Sequence, residues 1–365
     1  RLETFTPQCL ANSLWACAKL GIAPSSNARC FVRRCLDELC RPGRLQGFAA
    51  QGLANSLWAV ARLRVSGSAT AGFVAAAVQE LDPDRIRQFA AQELSMTIWA
   101  LARLDGASFR CRRPAPSAAA PSAAPSAAFG LAGRGAEDEA EEYMLCALTQ
   151  EALRRIHELS PQGLSNISWS IVTLGLTCHA SARQFLAGAA QRAARELAEF
   201  APQAIANLCW AVCRLSGHEE APCAAGFATC VAEHLMRQGR MASFSWPDLS
   251  SLASAMARAE LGHISEVRSF ATSLVSYMGA TQCEGLGRQV LLNVAHSAVR
   301  LRIPRTVLEP VVLRISEVLD FEASSGARPL NGIDLRQWRE VRSRCGLIAR
   351  QRLPGGTGGQ AAVGC

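Results

Sequence analysis

The chain has 365 residues, 49% hydrophobic and 19% charged, a composition that excludes a wholly disordered protein. No apolar stretch reaches the roughly 18–20 residues that a membrane-spanning helix needs. Basic residues outnumber acidic ones by 38 to 30, and all but Lys19 are arginines. Arginine binds phosphates and stacks on bases, so this excess suits nucleic acid. A GC-rich coding bias would also produce the arginine-to-lysine ratio, but not the net charge of +8.

The sequence does not predict an enzyme. Lys19, within Cys17-Ala18-Lys19-Leu20, has no phosphate-binding loop around it, so ATP-dependent chemistry is not expected. No serine-hydrolase or zinc-protease motif occurs. The chain begins at Arg1 rather than methionine, which we expect of a fragment or processed product, and no targeting peptide can be read from it.

The 15 cysteines predict neither a disulfide framework nor a metal site. Several lie in apolar helical runs, where a free thiol behaves as a small hydrophobic group. The nearest ligand-like set, Cys223, Cys230 and His234, lacks a recognised zinc spacing. We therefore expect reduced thiols in an intracellular compartment, no metal and no cofactor.

An internal repeat dominates the chain. Seven segments recur about every 42 residues, with one insertion, and five of them carry tryptophan at one phase, which we number position 0. The segments are Leu10–Leu20, Leu53–Leu63, Leu94–Leu104, Leu164–Leu174, Ile205–Leu215, Leu249–Ala259 and Leu291–Leu301, with Trp15, Trp58, Trp99, Trp169, Trp210, Ser254 and His296 at position 0. Each predicts the first helix of a helical hairpin. Seven stacked hairpins over residues 1–320 predict an all-α solenoid.

Local signals support these hairpins. Proline in Phe5-Thr6-Pro7-Gln8 and Phe200-Ala201-Pro202-Gln203 fits the first position of a helix. Small residues at positions −4 and +1 would let neighbouring helices approach closely. The predicted second helices are Asn27–Cys40, Ala71–Leu81, Glu141–Leu159, Ala182–Phe200, Ala224–Met236, Ser265–Met278 and Arg305–Leu319.

Two segments depart from the repeat. An Ala/Pro/Ser-rich stretch at about residues 106–138 predicts a disordered insertion. The acidic run that follows Ala136 is expected at the N-terminus of the next helix, where carboxylates interact favourably with the helix dipole. Alternatively, it could compete with a ligand for a basic surface. Residues 321–365 predict an arginine-rich capping helix with Trp338 inward, followed by a frayed, glycine-rich tail.

Polar residues recur on one face of each predicted first helix. Positions −7, −3 and +4 lie within about 40° of one line on a helix, and we call them the polar stripe. Position −7 is glutamine in six repeats: Gln8, Gln51, Gln92, Gln162, Gln203 and Gln289. Position −3 is asparagine in five: Asn12, Asn55, Asn166, Asn207 and Asn293. Position +4 is basic in six: Lys19, Arg62, Arg103, Arg214, Arg258 and Arg300. These are the candidate RNA-binding residues.

A purely structural interpretation of the polar stripe remains open. A buried asparagine can form a hydrogen bond with the backbone of the next repeat. A cation in the last turn of a helix interacts favourably with the helix dipole. The tryptophans are expected to be core anchors. Base-reading residues would then lie at position −2, occupied by Ser13, Ser56, Thr97, Ile167, Leu208, Leu252 and Val294, whose later apolar members argue against a simple code.

The segment Phe5–Leu20 (FTPQCLANSLWACAKL), repeated at Leu53–Leu63 (LANSLWAVARL), resembles the octotricopeptide repeat and the related repeats of FAST-kinase-like, RAP-domain proteins. The resemblance covers about residues 1–320 and is weakest in repeats six and seven. It implies binding to transcripts of plastids or mitochondria and a role in their stability, processing or translation, in which other proteins of an RNA-processing or ribosomal assembly could take part. No RAP domain is recognisable.

Two functions therefore remain open. The first is a solenoid that binds single-stranded RNA, and the alternative is an armadillo-like or HEAT-like scaffold for proteins. An arginine-lined concave face favours RNA, whereas an apolar or acidic concave face favours a protein partner.

Overall fold

The computed structural model describes residues 2–22, 26–104, 136–237, 239–326 and 329–346. Within these ranges the chain is all helical and contains no strand, which confirms the all-α prediction for this part. The α-helices are, in chain order, α1 (Pro7–Lys19), α2 (Ser26–Leu39), α3 (Ala50–Leu63), α4 (Ser68–Gln79), α5 (Pro83–Arg87), α6 (Ala91–Leu104), α7 (Ala136–Arg154), α8 (Pro161–Thr173), α9 (Ala180–Glu196), α10 (Pro202–Val212), α11 (Ala221–Met236), α12 (Trp246–Arg258), α13 (Ser265–Ala280), α14 (Arg288–Arg300), α15 (Arg305–Ser324) and α16 (Gly332–Arg344). Short 3-10 helices cover Leu2–Thr4, Leu176–Cys178, Leu197–Glu199, Cys213–Leu215, Met241–Ser243 and Leu261–His263.

Each repeated segment forms the first helix of a pair. These A helices are α1, α3, α6, α8, α10, α12 and α14. Pro7 begins α1, and the hydroxyl of Thr6 accepts a hydrogen bond from the amide of Cys9 at 3.2 Å. Pro161 begins α8 behind the N-cap Ser160 in the same way. The proline needs no amide partner in the first turn and the cap satisfies a free amide, so both boundaries are set locally.

The predicted second helices also form, as the B helices α2, α4, α7, α9, α11, α13 and α15, with shifted ends. Helix α7 runs from Ala136 to Arg154, and α15 continues to Ser324. The helix α5 was not predicted, because its five residues are too few for a periodic pattern. Its start is nevertheless local, since Asp82 caps the amide of Arg85 at 2.8 Å and Pro83 follows the cap.

Helix contacts follow two rows. Each A helix contacts the next A helix, from α1 and α3 through α12 and α14, and α16 contacts α14. The B helices contact one another in the same order, except that the short helix α5 takes the place beside α7. This order of contacts is compatible with a stack of helical hairpins.

Small residues occupy the contacts between A helices. Position −4 is buried in all seven repeats and is alanine or serine in six of them: Ala11, Ala54, Ser95, Ser165, Ala206 and Ser250. Leucine and phenylalanine fill the space between the rows, with Leu53, Leu94 and Phe185 fully buried. A small side chain at the crossing lets two helix backbones approach, while the large ones supply the apolar area that stabilises the fold.

A second set of arginines joins consecutive repeats. Position −14 is arginine in repeats two, three and four, at Arg44, Arg85 and Arg155. Arg85 donates to the carbonyls of Leu45 at 3.0 Å and Phe48 at 2.6 Å. Arg44 and Arg155 likewise donate to the carbonyls of Phe5 and Phe89, each in the turn before the preceding A helix. These guanidinium groups satisfy backbone carbonyls that the helices leave without partners.

Two predicted segments lie mainly outside the described residues: the insertion, at residues 105–135, and the tail from residue 347. Both stay predictions, although α7 begins within the last residues assigned to the insertion. The capping helix is present as α16, with Trp338 buried. No helix in the described ranges combines the length and hydropathy needed to cross a bilayer.

Candidate nucleic-acid interface

The structure places the polar stripe on the surface of the A helices. All six glutamines at position −7 are exposed or half-buried, and five of the six cations at position +4 are exposed, with Arg214 half-buried. Among the asparagines at position −3, Asn12 is exposed and the other four are half-buried. The three positions therefore share one accessible face of each A helix, and consecutive A helices contact one another.

The tryptophans lie at the margin of this same face, and their prediction as core anchors is confirmed in part, because Trp58, Trp99, Trp169 and Trp210 pack against the core. Trp15 is 39% exposed, and Trp58, Trp99, Trp169 and Trp210 are half-buried. On a helix, position 0 falls within about 60° of the three stripe positions. The rings therefore stand beside the amides and cations at the edge of the core. The angular phase predicts the accessible edge of each ring, and hydrophobicity predicts the edge that packs against the core.

Position −2 is correspondingly unsuited to base reading. It lies about 120° from the middle of the polar stripe on a helix, and it is buried in six repeats, with only Ser13 half-buried. The side chains at this position pack inside the protein instead of facing solvent. The hypothesis that these residues read bases is therefore wrong, and the apolar residues Ile167, Leu208 and Leu252 are explained by burial.

Cations at position +4 lie over the tryptophan rings. Arg103 is 5.6 Å from the ring centroid of Trp99, and Arg214 is 5.0 Å from that of Trp210. Lys19 contacts two rings, those of Trp15 at 5.3 Å and Trp58 at 5.4 Å, and so joins the surfaces of repeats one and two. Such contacts are worth about 0.5–1 kcal/mol at exposed sites.

The ring of Trp58 is contacted by Lys19 of repeat one, and not by Arg62, the cation of its own repeat. Arg62 is exposed and makes no hydrogen bond, ion pair or ring contact with any residue in the described ranges. Arg258 is equally exposed and without such a contact there. A carboxylate does reach Arg300, whose guanidinium lies 3.5 Å from Glu260. The first three repeats thus present cations that no described carboxylate neutralises.

The amides of the stripe bond each other along the helix. Gln162 donates to Asn166 at 2.8 Å, and Gln289 donates to Asn293 at 2.9 Å. No asparagine of the stripe bonds the backbone of an adjacent repeat within the described part of the chain. The structural role considered for asparagine is therefore not seen there, and the remaining amide donors and acceptors face solvent.

The character of this face changes toward the C-terminal end. Ser254 at position 0 of repeat six lies 3.2 Å from Ser297, and His296 at position 0 of repeat seven lies 3.1 Å from Glu340 of α16. The aromatic rings are therefore replaced by hydroxyl, imidazole and carboxylate groups. Aromatic and basic character is concentrated in repeats one to three and five.

Burial favours the thiol form of two cysteines, Cys35 and Cys209. Burial raises the pKa of Cys35 to about 12, so its thiol stays protonated. The hydrogen bond that Cys209 shares with Cys213, with Sγ atoms 4.0 Å apart, and burial both raise the pKa of Cys209. No group of three His, Cys, Asp or Glu residues there is arranged to hold a metal ion.

Comparison with known proteins adds no family assignment. No protein-family model matches the chain, and no curated protein matches it. The resemblance to octotricopeptide and FAST-kinase-like repeats accordingly stays a prediction from the repeat residues. The interface must be argued from its own geometry.

Proposed function

We propose that the chain is an α-solenoid that binds single-stranded RNA along the exposed face of its A helices. The observation that carries the proposal is the in-register row of Lys19, Arg62 and Arg103, free of ion pairs with the described carboxylates. The half-exposed tryptophans and the amides lie on the same face. An apolar or acidic face would have favoured a protein scaffold instead.

The chemistry of these groups fits a flexible strand. Cations at regular intervals bind phosphates and release counterions, while exposed glutamine and asparagine side chains donate to and accept from the edges of unpaired bases. Phosphate contacts would set the position of the strand, and the amides would supply selectivity. The contacts at position +4 have no counterpart in repeat four, where the hydroxyl of Thr173 donates to the carbonyl of Trp169 at 2.9 Å.

The resemblance of the repeats extends this proposal to a biological setting. We propose that the bound strands are plastid or mitochondrial transcripts and that the protein acts in their stability, processing or translation. It would do so by binding rather than by catalysis. Partner proteins of an RNA-processing or ribosomal assembly belong to the same proposal.

The proposal predicts how salt weakens binding. We expect the triple variant Arg62→Gln, Arg103→Gln, Arg258→Gln to bind an unstructured oligoribonucleotide more weakly. The slope of log K against log salt should flatten by about 0.7 for each phosphate that the variant no longer neutralises. The weakening should be similar for oligonucleotides of different sequence, because phosphate contacts do not specify bases. Fluorescence anisotropy at several salt concentrations measures both quantities.

The matched control removes the same charge from the B helices. Arg34, Arg195 and Arg268 are exposed on α2, α9 and α13, and their triple glutamine variant should retain the wild-type slope. If both triple variants flatten the slope equally, the polar stripe contributes to binding only through the net charge of the protein. An unchanged slope in the stripe variant, with stable wild-type folding, would favour the armadillo-like or HEAT-like protein scaffold.

A further inference from the structure

The tryptophans at position 0 are only partly buried. Trp58, Trp99 and Trp210 pack against the core and leave part of each ring accessible at one phase of the repeat, and Trp15 is 39% exposed. The accessible part of each ring does not gain the stability that full burial would give. Three of these rings are contacted by a cation four residues further along the same helix, and Trp58 is contacted by the cation of the preceding repeat. The repetition makes the ring and its cation one recurring unit of the surface.

The cation occupies the position that a stacked base would take. The charged groups lie 5.0–5.6 Å from the ring centroids, and aromatic groups that stack on one another have centroids about 4.5–7 Å apart. A base and the cation therefore cannot use the same ring face together. The ring contact is a weak one, and the long side chains of Lys19 and Arg103 can leave their rings by rotation about their own bonds.

We infer that each of these rings is a base-stacking site that its cation covers in the free protein and uncovers when a strand binds. The ammonium or guanidinium moves from the ring to a phosphate, and a base takes its place on the ring. This inference rests on the proposed RNA-binding function and specifies its contacts. A stacked base contributes more than the cation contact it replaces, since base–aromatic stacking is the stronger of the two interactions.

The exchange defines the class of ligand. Only a polymer that carries both phosphates and accessible base faces can bind the cation and cover the ring at the same time. A duplex keeps its base faces stacked internally, and a phosphate chain without bases leaves the rings uncovered. The ligand is therefore a single strand with unpaired bases, and the rings select against both duplex RNA and simple polyanions.

The test compares two strands of equal charge. Oligouridylate and an abasic oligonucleotide of the same length are titrated into the full chain and into the double variant Trp58→Leu, Trp99→Leu. We expect the wild type to bind oligouridylate at least tenfold more tightly than the abasic strand. The double variant should bind oligouridylate about tenfold or more weakly than the wild type does and remain unchanged toward the abasic strand.

Trp246 provides the matched control, because it stacks on Tyr277 at a centroid distance of 5.0 Å and lies outside position 0. Trp246→Leu should bind both strands as the wild type does. Intrinsic fluorescence of the wild type gives a second measurement that needs no variant. Oligouridylate should quench tryptophan emission through stacking, and the abasic strand should leave the emission unquenched.

The outcomes separate the two proposals. If the wild type binds both strands with equal affinity and fluorescence response, RNA binding through phosphates stands and the stacking inference is overturned. The same conclusion follows if the folded double variant keeps the wild-type preference for bases. If the wild type binds neither strand, the proposed function itself fails, and the inference fails with it.

Discussion

The two sets of arginines show how position decides what the same side chain does. At position −14, Arg85 is only 14% exposed and its guanidinium bonds backbone carbonyls of the preceding repeat. At position +4, Arg62 is exposed and bonds no described residue. A guanidinium without a protein partner keeps its five donors available for a ligand. The first set is structural, and the second supplies the candidate interface.

This difference predicts opposite effects of one substitution. Arg85→Gln should lower the free energy of unfolding by about 1.5–3 kcal/mol, because two carbonyls and Glu80 lose charged hydrogen bonds. Urea denaturation followed by circular dichroism measures the change. Arg85→Lys should recover little of it, since an ammonium cannot reproduce the planar fork.

The control is Arg62→Gln, which should change the unfolding free energy by no more than about 0.5 kcal/mol, as for other exposed residues. If the Arg85→Gln protein is as stable as the wild type, the carbonyls are satisfied by water and position −14 does not join the repeats.

The residue scale is also where sequence and structure differ most. Cations and glutamines at the stripe could be placed from their phase, because a charged or amide side chain rarely lies buried. For Trp58 and Trp99 the packing against the core could be predicted but not the accessible edge of the ring, which depends on the neighbouring helix. The bonds that Arg44 and Arg155 make to the preceding repeat could not be predicted, because both residues lie before the A helices and outside the repeated segments.

Among elements, one close approach links the ends of α12 and α14. Gly262 follows α12, and a Cβ atom there would lie 3.0 Å from backbone atoms of Leu301 at the end of α14. Backbone cannot move aside as a flexible side chain can. A glycine at this point lets repeats six and seven lie close together.

Adding one methyl group should therefore separate these elements. We expect Gly262→Ala to destabilise the protein by about 1–3 kcal/mol, the range for overpacking, as measured by chemical denaturation. Gly226→Ala is the matched control, because Gly226 lies within α11 and a Cβ there meets nothing within 4 Å. That variant should gain about 0.5–1 kcal/mol from the better helix propensity of alanine. Equal responses of the two variants would contradict the close contact.

Elements were predictable where local chemistry marks their ends. Pro7 and Pro202 begin the helices that the sequence assigned to them. The end of α7 at Arg154 was missed, because the apolar pattern continues to Leu159 while the backbone has already turned. Arg155 bonds the carbonyl of Phe89 from that turn, a partner 66 residues away that no local pattern indicates.

At the scale of the whole molecule, contacts connect each repeat mainly to its neighbours. The A helices follow one another without long-range crossings, and α16 rests on α14. Leu20 at position +5 of the first repeat is 74% exposed, whereas its equivalents Leu174, Leu215 and Leu301 are buried beside a preceding helix. In such an arrangement stability is approximately the sum of each repeat and its interfaces.

Amide hydrogen exchange should therefore be graded along the chain. We expect the slowest exchange in α8 and α10, which have A-helix neighbours on both sides, and the fastest among the A-type helices in α1 and α16. A helix with one neighbour opens at a lower free energy than a helix with two. Exchange resolved by mass spectrometry measures the gradient. Uniform protection from α1 to α16 would indicate one cooperative unit instead.

The position of Lys19 between Trp15 and Trp58 also has a chemical consequence. Since the sequence has no other lysine, an amine-selective reagent finds a single side-chain target in the chain. That target lies within the surface assigned to RNA, between two rings. A fluorophore or crosslinker coupled there would report from the interface itself, without cysteine mutagenesis in a protein that contains 15 thiols.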